Sequence, residues 1–140
     1  MKTLANTLQQ TTAEPRKIFA LWEDINHWNE YDQGIEWAKL DGSFRAGENY
    51  TLKPKGGPKV RATILEVVSN QKFVDVSHLF GAKLMFNHTL TRENTMTNVA
   101  VTMTVSGPLG WLWARILGKN QQADIEQSTT NLIAKAESQG

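Results

Sequence analysis

Between Ile35 and Ser106 the sequence divides into six strand-length runs separated by turn residues, and no helical stripe in this stretch is long enough to compete. The runs are Ile35 to Leu40, Asn49 to Lys53, Lys59 to Val68, Lys72 to Phe80, Lys83 to Arg92 and Thr97 to Ser106. Asp41-Gly42, Gly56-Gly57-Pro58, Ser69-Asn70, Gly81 and Glu93-Asn94 join them, each a tight-turn signal, so an antiparallel meander is the economical reading. Period-two alternation sets Leu84, Phe86, His88 and Leu90 on one side of their strand and Val99, Val101, Met103 and Val105 on one side of the next. Those sides should face inward. Val60, Ala62 and Ile64 alternate with Lys59, Arg61 and Thr63, which puts the basic residues in water. The run Phe73 to Phe80 gathers apolar residues on either parity, so the pattern leaves open whether Asp75 or His78 points inward.

The flanks read differently. Residues 3 to 11 alternate weakly and suggest a first strand, after which Thr11, Thr12, Glu14 and Pro15 supply helix-start chemistry. Ile18, Phe19, Trp22 and Ile25 fall at helical spacing, and the turn-rich stretch from Asn26 to Asp32, closed by Gly34, suggests a second short helical turn. Beyond Gly107-Pro108 a helical pattern runs almost to the end. Its first half is strongly apolar at Leu109, Leu112, Trp113, Ile116 and Leu117; it thins around Asn120, Gln121, Gln122 and Asp124, and Ile125, Leu132, Ile133 and Ala136 restore it. Gly118 stands at the change and suggests a kink. A strand, two short helices, six strands and a long helix are what an α+β helix-grip domain needs. A bent sheet of about seven strands cannot fill its own concavity, so the carboxy-terminal helix closes it and encloses a cavity.

With 140 residues the chain suffices for one core, so residues 1–140 are read as a single domain. The formal net charge of +1 gives no overall field to attract nucleic acid or an anionic membrane, so partners must be sought in local features. The absence of cysteine excludes disulfides, thiolate metal sites and cysteine nucleophiles. The first ten residues contain no apolar stretch suited to a signal peptide, and no later run approaches a membrane span, so a cytoplasmic protein is expected. Asn87-His88-Thr89 matches a glycosylation acceptor by chance on this reading. Five tryptophans are many for this length; they point to a large aromatic core or to a pocket with aromatic walls.

Several strings carry a resemblance. Trp22 to Asp32, GIEWAKLDGSF from Gly34 to Phe44, LKPKGGPKV from Leu52 to Val60 and VSGPLGWLW from Val105 to Trp113 resemble the SRPBCC superfamily, in particular its polyketide cyclase/dehydrase and lipid transport branch. The resemblance covers nearly the whole chain and implies a helix-grip fold with a hydrophobic pocket. It carries over no catalytic residues, because members include carriers, receptors, cyclases and co-chaperones.

The ligand pocket is therefore expected to draw on Trp22, Trp37, Tyr50, Leu84, Phe86, His88, Val101, Met103, Trp113, Ile116 and Asn120. Two readings follow: binding or transport of a small lipid-like, polyketide-like or aromatic molecule, and a cyclase- or dehydratase-type enzyme acting on one. Among catalytic candidates, His88 and His78 could polarise a carbonyl or shuttle a proton, and Asp75 or Glu66 could act as a base if burial raised its pKa. The bland alternatives are a core histidine satisfied by one hydrogen bond and carboxylates that face water or pair with lysine. His27 lies in a distant loop, so no metal site is expected, and no phosphate-cradling glycine loop calls for a cofactor. Lys53, Lys55, Lys59 and Arg61 form a basic hairpin able to meet an anion at the pocket mouth or simply to stay solvated. It lacks the aromatic stacking surface that nucleic-acid binding needs. A protein-interaction role stays open, as do monomer and homodimer.

Overall fold

A computed structural model describes residues 1–117 and 120–139. Seven antiparallel strands, β1 (Lys2–Thr11), β2 (Ile35–Leu40), β3 (Asn49–Pro54), β4 (Val60–Val68), β5 (Lys72–Leu79), β6 (Ala82–Glu93) and β7 (Met96–Ser106), form one sheet in the order β1-β7-β6-β5-β4-β3-β2. The meander from β2 to β7 is thus continuous, and β1 returns to pair with β7. Asn70 and Asn94 take positive φ at the β4–β5 and β6–β7 turns, where asparagine tolerates the left-handed conformation.

Between β1 and β2 lie helix α1 (Pro15–Glu23), with its proline in the first turn, and a 3₁₀ segment from Ile25 to Glu30. The stripe Ile18, Phe19, Trp22 and Ile25 is buried throughout. The carboxy-terminal helical pattern forms two described helices, α2 (Gly110–Leu117) and α3 (Gln121–Ser138). The kink expected at Gly118 lies outside the described residues. α3 lies along β1 and against α1, burying Ile125, Thr129, Leu132, Ile133 and Ala136 at helical spacing. α2 sits on the β5–β6 turn, where the Leu109 amide donates to the Gly81 carbonyl at 2.8 Å. Two glycines permit this seat. Gly81 (φ +69°) and Gly107 (φ +105°) both adopt the left-handed region, and a Cβ on Gly107 would come within 2.9 Å of the Ala82 backbone.

The faces of β6 and β7 follow the alternation. Every odd position from Thr97 to Val105 is buried on β7, while β6 directs Leu84, Phe86, His88 and Leu90 to the same side. Pairing of β5 with β6 sets Phe73 opposite His88, Asp75 opposite Phe86 and Ser77 opposite Leu84. Directly paired residues share a face, so Phe73, Asp75 and Ser77 point inward and His78 points out.

Candidate functional site

The inner face is filled from the β3–β6 side by aromatic rings. Phe73, fully buried, stacks on the His88 imidazole with ring centres 4.6 Å apart, and Phe44 packs against Phe73 at 4.9 Å. Trp22 from α1 meets His88 at 5.1 Å, and Trp28 from the 3₁₀ segment meets Tyr50 edge-on at 5.3 Å. The indole N–H of Trp28 donates to the Trp22 carbonyl at 3.0 Å, which satisfies its polar atom and ties the 3₁₀ segment to α1.

Within this apolar surrounding stands one acid. Asp75 is 1 % exposed; its Oδ2 accepts a hydrogen bond from the Tyr50 hydroxyl, and its Oδ1 has no hydrogen-bond partner among the described residues. Burial disfavours the carboxylate and pushes the Asp75 pKa up to about 7, against the opposing effect of the Tyr50 bond. The Tyr50 hydroxyl is itself held well above its ordinary value by burial and by the neighbouring acid. His88, half-buried, is driven the other way: burial lowers its pKa to about 4, so the imidazole is neutral at physiological pH. Because a carbonyl only accepts, Nδ1–H of His88 donates to the Phe73 oxygen at 2.9 Å and leaves Nε2 as an acceptor.

The structure brings together Trp22, Tyr50, Leu84, Phe86, His88, Val101 and Met103 on or against the inner face, with Phe86 paired to Met103 and His88 to Val101. Trp113 joins them from the inner side of α2, its indole N–H donating to the Phe80 carbonyl at 2.7 Å. Four other expected residues stand elsewhere. Trp37 is on the outer face, with the Lys59 ammonium over its ring, because a register shift between Ile35 and Trp37 breaks the alternation and leaves Ile35 and Ala38 inside. Ile116 lies on the outward side of α2, Asn120 is an exposed turn residue before α3, and His78 is exposed with Nε2 2.9 Å from the Thr63 hydroxyl. Glu66 pairs with Lys72 at 3.2 Å, whereas Asp75 neither faces water nor meets a lysine.

Pattern reading left Asp75 undecided and passed over Phe73, Trp28 and Phe44 as site residues. A signal for the first two did exist. The tight turn at Gly81 pairs Leu79 with Ala82, and counting back along both strands from there places Asp75 opposite Phe86 and Phe73 opposite His88.

The side chains around Asp75, among them Tyr50, Phe73 and Ile64, are almost wholly shut off from solvent, and two open clefts lie outside this region. One of about 370 Å³ is bounded by Glu30, Tyr31, Gln33, Asn131, Ala134 and Lys135; another of about 160 Å³ lies between Thr12–Lys17 and the end of α3. The inner face is less completely sealed beside α2, where Phe86, Trp113, Ala114 and Leu117 are only partly buried.

No family model and no curated protein matches the sequence. Solved structures do match. TTHA0849 from Thermus thermophilus superposes with a TM-score of 0.76 at 17% identity, covering 97% of this chain and 98% of that one. A START superfamily protein from Mycobacterium smegmatis gives 0.67 at 11% identity, with 97% and 98% covered. This chain has the START-like helix-grip fold. The protein Ara h 8.0201 shares it, with a TM-score of 0.70, 12% identity and 95% and 96% coverage. So does the di-domain ARO/CYC StfQ of the steffimycin biosynthetic pathway, with a TM-score of 0.69 and 14% identity, 94% of this chain covering 44% of that one. The likeness to the SRPBCC superfamily read from the sequence therefore holds for the helix-grip fold, and at these identities it is a likeness of fold.

Proposed function

We propose that this protein binds a small, largely apolar molecule carrying one oxygen function, seated between the inner face of the sheet and α2, with Asp75 as its polar anchor. The unpartnered Oδ1 of Asp75 carries the reading. An unsatisfied buried polar atom costs roughly 1–3 kcal/mol, and a ligand hydroxyl or carbonyl would supply the missing hydrogen bond. A carboxyl whose pKa is about 7 presents both forms near neutrality, as acceptor from a hydroxyl and as donor to a carbonyl. Aromatic walls with a few convergent polar groups are the usual composition of such sites. Because the surroundings of Asp75 are almost wholly shut off from solvent, binding requires the partly buried Phe86 and Trp113 to give way on the α2 side.

Enzymatic cyclisation or dehydration in the same place is the second reading, favoured by the same carboxyl: an acid poised near neutral pH suits general acid–base work. The fold shared with the ARO/CYC StfQ is compatible with it. His88, neutral and committed to the Phe73 carbonyl, is better suited to orienting a ligand through Nε2 than to donating a proton.

Titration with naphthalene and 2-naphthol, followed by tryptophan emission, tests the proposal. One site per chain is expected, with the naphthol bound about five- to tenfold more tightly, as one added hydrogen bond gives, and with that preference lost in Asp75→Leu. Absence of binding by either probe up to its solubility limit would overturn the binding reading. Turnover of a polyketide-like substrate that Asp75→Asn abolishes while the probes still bind would replace transport by catalysis.

A further inference from the structure

The tip of the sheet formed by the β5–β6 turn and α2 leaves three large apolar side chains in water. Phe80 is 83% exposed, and Trp111 and Ile116 are each 61% exposed. α2 turns Gly110, Trp113, Ala114 and Leu117 toward the body, so its outward side carries Trp111, Leu112, Arg115 and Ile116. Scattered exposed hydrophobics need no explanation, but a tryptophan, a phenylalanine and an isoleucine grouped around one turn do.

The exposed, unpaired charges around this tip are positive. Strand register places Lys2 and Lys83 in the same row as the end of β7, and the β3–β4 turn bearing Lys55 and Lys59 reaches the same end. These four lysines and Arg115 are exposed and have no acid partner among the described residues. Of the acids toward this end, Glu36 pairs with Lys53, and Asp32, which accepts from the Gly34 amide, feels the positive charge of Lys55 without forming an ion pair with it. In a chain of net charge +1, such a grouping means that the positive charge is concentrated here.

We infer that this tip docks on the surface of an anionic lipid bilayer, with Phe80, Trp111 and Ile116 entering the headgroup boundary and the flanking lysines and Arg115 meeting lipid phosphates. Aromatic and aliphatic side chains bordered by snorkelling cations are the composition of an interfacial anchor. A second copy of the chain fits less well, because a two-fold contact through the apolar tip would set these cations against their own copies. No described helix is long and apolar enough to cross a membrane, so the contact is peripheral. The docked tip adjoins the α2 side, where the inner face is least sealed, but docking stands apart from the ligand proposal because it is read without any ligand.

Sedimentation with phosphatidylcholine vesicles, with and without phosphatidylglycerol, tests the inference, using variants at exposed positions that leave the core intact. The wild type should bind the anionic vesicles, lose binding as salt rises, and show a blue shift of tryptophan emission. Phe80→Ser with Trp111→Ser should weaken binding about tenfold or more, and Lys83→Glu with Arg115→Glu should abolish the preference for the anionic lipid. Circular dichroism of each variant establishes that it is folded. Failure of the wild type to sediment with anionic vesicles, or equal binding by wild type and the Phe80/Trp111 variant, would overturn the inference. Concentration-dependent dimerisation lost in that variant, without vesicle binding, would assign the tip to a second copy instead.

Discussion

The carboxyl of Asp75 and the imidazole of His88 lie on neighbouring strands of one face, and burial moves their pKa values in opposite directions, each in favour of the uncharged form. The folded chain keeps the Asp75 proton up to a pKa of about 7, while the unfolded chain releases it near 3.8. The contribution to stability is therefore full below pH 4 and is lost as pH rises through 7. For His88 the unfolded chain takes up a proton near 6.5 and the folded chain only near 4, so stability is full above 6.5 and is lost as pH falls toward 4. Between those limits the two slopes offset each other. Asp75→Asn should remove one of them: the variant becomes more stable from pH 4 to 6.5 and then level to pH 9, overtaking the wild type by an amount on the order of a few kcal/mol. Urea midpoints across that range check this, and parallel profiles would mean the carboxyl is not held neutral. Tyr50→Phe removes the side-chain hydrogen bond to Asp75 and should cost about 1–3 kcal/mol. It should also move the alkaline loss to higher pH, because that bond opposes the upward shift.

At the scale of elements, α2 offers a direct comparison of its two sides. Trp113 packs against the core and donates to the Phe80 carbonyl, whereas Trp111, two residues earlier and about 200° around the helix, is largely in water. Trp113→Ala should cost about 2–3 kcal/mol, below the full cost of truncating a completely buried tryptophan, and Trp111→Ala no more than about 0.5 kcal/mol. Denaturant midpoints decide it, and a larger loss at Trp111 would reverse the assignment. The elements themselves were legible because strand period and turn chemistry agree: the six runs, the turns at Asn70, Gly81 and Asn94, and the inward faces of β6 and β7 all follow from local pattern. What pattern missed depends on pairing. A register shift after Ile35 turned Trp37 outward, which no alternation rule foresees. Asp75 became assignable only once β5 was counted against β6 across their turn, and Ile116 was drawn into the expected pocket because α2 carries apolar residues on both its sides, although Trp113 does face inward.

Over the whole molecule, the sheet and helices define an interior that is closely packed around Phe73, Tyr50 and Trp28 and less deeply buried beside α2, so ligand binding through that side and stability must be linked. A molecule that seats against Asp75 binds the folded chain and finds no such place in the unfolded one. It should then raise the free energy of unfolding by RT ln(1 + [L]/Kd), about 2.7 kcal/mol at a hundredfold excess over Kd. A molecule that only coats the exposed Phe80, Trp111 and Ile116 competes with similar apolar surface in the unfolded chain, so its stabilisation should be far smaller. Urea unfolding of wild type, Asp75→Leu and Phe80→Ser/Trp111→Ser with 2-naphthol present separates the two sites. Midpoint increases that follow the logarithm of probe concentration, shrink in Asp75→Leu and survive in the tip variant place the probe inside. Increases that vanish in the tip variant and persist in Asp75→Leu place it on the surface, leaving the unpartnered oxygen of Asp75 without the role assigned to it.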